Sequence, residues 1–429
     1  MDEFGAGRIP AVSDEHEDAG GTGPGKRVGW VELYFDLVFV FAVGQVAHGI
    51  VTDPQWFRVA AALGLFATLW WTWIGFAVLY NRRGDDSRTA DRLFVLAGTI
   101  PCAIAATQAH HVFEGHPAVF ALALAGVRLI LGVAHRWPAK GALSQHRVSW
   151  GYLASTVLFA VSVFLPSPWT YVLWGFALLQ EAGFLLLGGH RGDRHGRERP
   201  SQTARWRELL APPPNPNLAV DSAHLSERFG LFMILLLGEV VITVGGAVLE
   251  RPSDDFGYWL VLACGLVLAG ALWWIYFTSA AEIYERLLEL SGGNPALAYS
   301  LYAGGHLPPA FALLMVAAGV NLSLQEPTPH TAAWFVTAGL AIYLAGTQGF
   351  AAGPPRWTRR LARITLLAAT VCLAFVDRLL PAPGVVLVIA VWAAGIAALA
   401  GSLRHKALER LGDTPAEFLR LLPAERPEK

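Results

Sequence analysis

The sequence predicts an all-α polytopic membrane protein, a helix bundle of about twelve transmembrane helices, and three observations predict it. Hydrophobic residues make up 54% of the 429 and charged residues 15%, at a mean hydropathy of +0.44. That leaves too little polar surface to cover a soluble globule of this size. Apolar windows of about 20 residues, the length that crosses a bilayer as a helix, recur along the whole chain. Lys and Arg collect in alternate connecting segments, the asymmetry that marks cytoplasmic loops.

Taken in order, residues 1–27 are polar and Gly-rich, with Asp14, Glu15, Glu17 and Asp18 in their middle. They contain no apolar run, so they are expected to form a disordered cytoplasmic tail rather than a secretory signal. The first span, 30–50, is then an uncleaved anchor, followed by spans at 57–80, 92–112, 117–136, 148–166 and 168–188. Residues 189–217, Arg-rich at the start and closing on Ala211, Pro212, Pro213, Pro214, Asn215, Pro216 and Asn217, are expected to be a cytoplasmic linker. Further spans are predicted at 223–249, 256–280, 296–320, 331–352, 360–380 and 383–403, before a cytoplasmic tail at 406–429. With the N-terminus inside, all but five of the 32 Lys and Arg lie on inner segments. The five are Arg58, Arg251 and Arg378 outside, and Arg128 and Arg228 within spans. Both termini are therefore expected in the cytoplasm, as for a multi-pass protein of the inner (cytoplasmic) membrane.

An internal repeat supports the same count. Leu69, Trp70, Trp71, Thr72, Trp73, Ile74 matches Leu272, Trp273, Trp274, Ile275, Tyr276, Phe277 at an offset of 203. Ala97 and Gly98 answer Ala303 and Gly304, each pair followed by a proline, Pro101 and Pro308. Thr156, Val157 and Leu165, Pro166, Ser167, Pro168 answer Thr370, Val371 and Leu380, Pro381, Ala382, Pro383. Phe35 and Gly44, Gln45, Val46 match Phe229 and Gly238, Glu239, Val240 more weakly. Two membrane repeats, 28–188 and 218–405, each of six spans, would share one orientation about an axis along the membrane normal.

An ionisable group inside a membrane helix costs roughly 2.5–3.5 kcal/mol at mid-depth, so each marks a candidate site. Glu32 and Asp36 are four apart and share one face of the first span. Asp36 lies deeper, and Glu32 is close enough to the interface to be solvated. Glu239 sits beyond the middle of span seven, and Arg228, eleven residues before it, is on the same stripe. His224, Glu227 and Arg228 cluster at the start of that span, as a gate or as a capped, solvated helix end. If spans one and seven meet at the repeat axis, Arg228 reaches Glu32 or Asp36. Arg128, Glu181 and His306 place polar groups at mid-depth in spans four, six and nine. Arg128, which cannot be deprotonated, requires a carboxylate or carbonyl partner, with Asp36, Glu181 and Glu239 as the candidates. His306 stands between Gly304, Gly305 and Pro308, Pro309, where the helix is loosened. Trp70, Trp71, Trp73, Trp273 and Trp274 lie within spans and suggest an aromatic-lined cavity.

His110, His111, Glu114 and His116 match no strong metal spacing, and Cys102, Cys264 and Cys372 are too far apart for a CxxC site. No metal and no cofactor is expected, and no nucleotide-binding motif appears in its required context.

Trp30, Val31, Glu32, Leu33, Tyr34, Phe35, Asp36, Leu37, Val38, Phe39, Val40, continuing to Gln45 and His48, closely resembles the signature of the bacterial low temperature requirement A (LtrA) family. His224, Leu225, Ser226, Glu227, Arg228, Phe229, Gly230, Leu231, Phe232 with Leu237, Gly238, Glu239 resembles its second signature, and His306, Leu307, Pro308 its third. Phe229 departs from the pattern, which often has histidine there. The resemblance spans roughly 28–405 and implies a polytopic inner-membrane protein linked by name to growth in the cold, with no settled biochemical activity.

Two functions of different classes fit these residues. One is a secondary, proton-coupled transporter or exporter of a small molecule, whose acids face a central water-accessible cavity. The other is a membrane-embedded enzyme that uses a buried carboxylic acid on a lipid or isoprenoid in an aromatic-lined pocket. In a third reading the polar groups only hold helices together. The expected partners are membrane lipids and a small-molecule or lipophilic substrate, with no nucleic acid.

Overall fold

A computed structural model describes residues 27–84, 87–136, 146–188, 202–214, 219–250, 254–347 and 357–420. The expected tail at 1–26, the linker at 189–201 and 215–218, and 421–429 lie outside the described residues. Every regular element among the described residues is helical. In a bilayer core no water reaches backbone N–H and C=O groups, so an apolar chain satisfies them within helices.

The first half comprises α1 (Trp30–Thr52), α2 (Trp56–Arg83), α3 (Thr89–Phe113), α4 (Ala118–Arg136), α5 (His146–Ser162) and α6 (Trp169–Gly188). After the short α7 (Gln202–Leu209) come α8 (Ser222–Glu250) and α9 (Phe256–Ile275). A π-helical turn, Tyr276–Ala280, carries α9 directly into α10 (Ala281–Leu290). The one-turn α11 (Pro295–Ala298) runs through a second π turn, Tyr299–Gly304, to α12 (Leu307–Leu322). The chain ends in α13 (Thr331–Thr347), α14 (Trp357–Cys372) with a 3-10 extension to Arg378, α15 (Ala382–Leu411) and α16 (Pro415–Arg420).

Among the described residues eight helical stretches are long and apolar enough to cross a membrane, and Val148–Ser162 and Thr331–Thr347 are apolar but shorter. Large apolar side chains point outward from them, such as Leu37, Ile100 and Leu122. These are the lipid-facing surfaces of a membrane protein.

Each apolar window read from the sequence holds a helix, but several boundaries differ. The window expected to stop at 280 continues to Leu290, because the π turn absorbs one residue without breaking the rod. The boundary expected at 405 falls inside α15. Residues 402–411 are rich in helix formers, and Arg404 is paired there with Glu282 of α10. The expected linker and C-terminal tail contribute α7 and α16, which meet through Trp206 and Phe418 at 5.2 Å between ring centroids.

Helix α12 runs through the interior of the bundle: every residue from Pro309 to Val320 is buried, as expected of a helix that is apolar all round. It packs closely on α13. A Cβ at Gly319 would stand 2.9 Å from the Ala332 carbonyl oxygen, and one at Gly339 2.9 Å from that of Ala312. Small residues that let backbones approach are the usual means of helix association in lipid.

Helices α1 and α8 run side by side in the same direction, for Glu32 meets Arg228 near their starts and Gly44 lies against Glu239 near their middles. Substituting Gly319→Leu is expected to destabilise the solubilised protein by about 1–3 kcal/mol or more through overpacking of α12 on α13. A thermal melt in detergent measures it, and an unchanged midpoint would refute the close packing.

Candidate functional site

Four polar arrangements are built on this frame. The first joins α1, α2 and α8. Glu32, in the first turn of α1, accepts from the N–H of Gly29 at 3.1 Å, as an acid at the third helical position does. Its other partners come from α8. Arg228 pairs through Nη1 with Glu32 Oε1, and through Nη2 with Asp36 Oδ1 at 3.1 Å. His224 Nε2 is 3.0 Å from Glu32 Oε2. From α2, the indole N–H of Trp73 donates to Asp36 at 2.6 Å, and Asn81 Nδ2 lies 3.0 Å from His224 Nδ1. Asn81 also donates to the Asp221 carbonyl and accepts from its N–H, fixing the turn that enters α8.

Glu32, Asp36, His224 and Arg228 are all 0% exposed, and Trp73 stacks on Phe232 at 4.1 Å to close one side. A buried charge persists only where paired and hydrogen-bonded, and here two carboxylates face one guanidinium and one imidazole. The spacing of four in α1 lets both acids reach the same arginine. Among the described residues, Asp36 Oδ2 and Arg228 Nε have no hydrogen-bond partner.

The second arrangement is Arg128 of α4. Its Nε lies 3.2 Å from Glu181 of α6, its Nη1 donates to Thr72 of α2 at 2.5 Å, and its Cζ stands 4.7 Å from the Phe159 ring. Of the three acids expected to neutralise it, Glu181 does so.

The third surrounds His306. The two π turns each deliver a tyrosine to it: the Tyr276 hydroxyl is 2.8 Å from Nε2, and the Tyr302 ring stacks on the imidazole at 5.2 Å. Nδ1 lies 2.9 Å from the Leu301 carbonyl, and the Trp70 indole donates to that of Ala303 at 2.8 Å. The helix break expected at Gly304 to Pro309 is present, and its loosened carbonyls are satisfied by side chains. His306 is fully enclosed by rings.

The fourth is an open cavity of about 540 Å³ between α1, α8 and the end of α12. Gln45 and His48, Glu239 and Thr243, Asn321 and Gln325 give it a polar wall, and Phe41, Ile242 and Leu324 an apolar one. Glu239 accepts from the Thr243 hydroxyl at 2.9 Å. Gly44 makes room for the carboxylate, since a Cβ there would lie 3.0 Å from Oε1. The cavity lies toward the C-terminal ends of α1, α8 and α12, away from the Arg228 cluster at their N-terminal side.

Several expectations need correction. Glu32 is not solvated, and His224 and Arg228 are not a solvated cap, because the three neutralise one another in the interior. Glu227 is exposed and stands outside the cluster, with Oε2 3.2 Å from the Val28 N–H. Asp36 faces the ion cluster rather than a cavity. Trp273 and Trp274 are 42% and 45% exposed on the outer surface of α9, and Trp70 packs in the interior beside Trp73 and Phe232; none of the three lines the cavity that holds Glu239. Trp71, half-buried, is likewise outside the cavity wall. The paired rings His110 and His111 flank Glu114 at the surface, 3.4 and 2.7 Å away. The His111 contact holds the Glu114 carboxyl below the usual carboxylate range.

Sequence reasoning missed Asn81, Thr72, Tyr276, Tyr302, Asn321 and Gln325. Asn81 and Asn321 carried a readable signal, a carboxamide at the end of an apolar run. The tyrosines carried none, because only the π turns aim them inward.

The sequence model of the bacterial low temperature requirement A proteins matches residues 27–400. The chain is also 28% identical over 335 residues, 75% of its own length and 76% of the relative's, to the uncharacterized protein RA0937 of Rhizobium meliloti (strain 1021).

Asp36→Asn is expected to cost about 3–5 kcal/mol by leaving Arg228 with a half-neutralised site, and the double substitution with Arg228→Gln to recover part of it. Unfolding of the solubilised variants measures both, and a single variant at least as stable as the double would refute the pairing.

Proposed function

We propose, for a chain that belongs to the family of bacterial low temperature requirement A proteins, that it is a secondary transporter of a small molecule driven by protons. The observation that carries this reading is the opposition of two polar sites on the same helices. Between α1, α8 and α12 a polar cavity with Glu239 in its wall lies toward one end of the helices. Toward the other end the same α1 and α8 are closed by Glu32, Asp36, Arg228 and His224. A cavity toward one end and a seal toward the other is the arrangement expected of an alternating-access carrier in one of its two states. In this reading Glu239 is the proton and substrate site, and the Arg228 cluster is the closed cytoplasmic gate.

The reading includes twelve crossings in two parallel six-helix repeats, in the inner membrane, with both termini cytoplasmic. Two observations support it. Parallel α1 and α8 require an even number of crossings between their starts. Their facing residues, Glu32 with Arg228 and Gly44 with Glu239, differ by nearly the offset that relates the first and seventh apolar windows in sequence. Neighbouring helices exchanged by a twofold axis between them present equivalent residues to one another. Rocking of the halves about that axis would open the gate where Arg228 crosses it.

An enzyme acting on lipid would need its acid at the end of an aromatic-lined pocket. The wall around Glu239 is instead amide, hydroxyl and the His48 imidazole, apart from Phe41 and a few aliphatic side chains.

The test is proton movement into liposomes containing the purified protein under an imposed pH gradient. Wild type is expected to dissipate the gradient faster than empty liposomes, and Glu239→Gln to lose at least about nine-tenths of that rate, as removal of a proton-carrying group does. Equal rates in the two proteins would refute Glu239 as the coupling acid, and no flux in folded wild type would refute the carrier.

A further inference from the structure

The charge of the cavity wall restricts what the cavity can hold. Among the described residues, the other acids buried within the transmembrane helices have a cationic partner: Glu32 and Asp36 have Arg228, and Glu181 has Arg128. Glu239 has none. It is 9% exposed, its Oε1 accepts only from Thr243, and no Lys, Arg or His nitrogen of the described residues lies within 4.0 Å of it. A carboxylate taken out of water without a counter-charge is costly. A ligand entering the cavity can supply that charge.

The rest of the wall has the complementary chemistry. Asn321 donates its Nδ2 to the Thr243 carbonyl at 3.0 Å, which leaves its Oδ1 as an acceptor. Gln45 and Gln325 bring further carboxamide oxygens to the cavity. The titratable groups that face Glu239 from the packed helices are few: His48 of α1 on the wall, and His110 of α3 behind it at 5.8 Å between ring centroids. Gly44 holds a place for the carboxylate against the α1 backbone, as the absence of a Cβ there allows. A volume of about 540 Å³ falls in the roughly 300–1,000 Å³ range of small-molecule pockets.

We infer that this cavity takes a small organic cation bearing N–H donors, an amine or a guanidinium, with Glu239 as its counter-charge and the oxygens of Gln45, Asn321 and Gln325 as acceptors. That the cation is carried across the membrane rests on the transporter reading; that it is bound does not. An anion would meet an unpaired carboxylate, and a neutral polar solute would leave that carboxylate uncompensated.

Three probes of nearly the same shape separate these cases: butylguanidinium, butylurea and pentanoate, measured by equilibrium dialysis against the full-length protein in lipid nanodiscs at pH 8. Wild type is expected to bind butylguanidinium roughly tenfold or more tightly than butylurea, and pentanoate not at all. Glu239→Gln should remove that preference while keeping butylurea binding, which also shows that the variant is folded. Gly44→Ala, which crowds the carboxylate from the α1 side, should weaken the cation several-fold and spare the urea. The inference is overturned if wild type binds guanidinium and urea equally, if it prefers pentanoate, or if butylguanidinium binds Glu239→Gln as tightly as wild type. Cation binding without proton flux in liposomes would overturn the carrier and leave the cation site. Flux together with a preference for the neutral probe would do the reverse.

Discussion

Arg228 is the charge that the arrangement of the helices answers to. A guanidinium keeps its proton under any condition a protein meets, so once buried between helices it can only be compensated, never neutralised. Glu32 and Asp36 provide that compensation from a single face of α1, His224 supports Glu32, and Trp73 and Asn81 of α2 supply further hydrogen bonds. The register of α1 on α8 follows from this geometry. So does the position of Glu239, eleven residues further along α8, against Gly44 of α1. A shift of one helical turn would break the ion cluster and also carry Glu239 out of its glycine cradle.

The two halves treat their buried arginines differently. Arg128 meets a single carboxylate and a threonine, under a phenylalanine ring. All its charged contacts lie within the first half, where it ties α4 to α6 and α2 in the way polar residues hold membrane helices together. Arg228 joins the two halves. The same residue type thus fastens one half internally and closes the seam between both, and only the seam can part if the halves move. His306 belongs with the fastenings: it fills the break before α12, which Trp70 of the first half also braces.

Much of this was legible in the sequence. The apolar windows placed the helices, and the rarity of charge in hydrocarbon singled out Glu32, Asp36, Arg128, Glu181, Arg228, Glu239 and His306 with no further information. The expectation that spans one and seven meet at a repeat axis predicted the meeting of Arg228 with the acids of α1. Depth and exposure were less legible. Glu32 lies close to a helix start, and linear position cannot distinguish a solvated start from one roofed by another helix. Trp273 and Trp274 read as interior because they sit mid-span, yet a residue's place along a helix says nothing about which side meets lipid. The π turns were hidden as well, since a single extra residue per turn leaves no mark on an apolar pattern, and with them the tyrosines that enclose His306.

The separation of each arginine from its acids along the chain has a consequence for how the protein is made. Chains leave the ribosome N-terminus first. Glu32 and Asp36 precede Arg228 by 196 and 192 residues, so the guanidinium of α8 enters a bilayer in which its carboxylates already stand. Arg128 precedes Glu181 by 53 residues, and α4 must wait, with only Thr72 of the finished α2 to meet its charge, until α6 has been synthesised. A chain stopped between α4 and α6 therefore carries a guanidinium whose carboxylate has not yet been made.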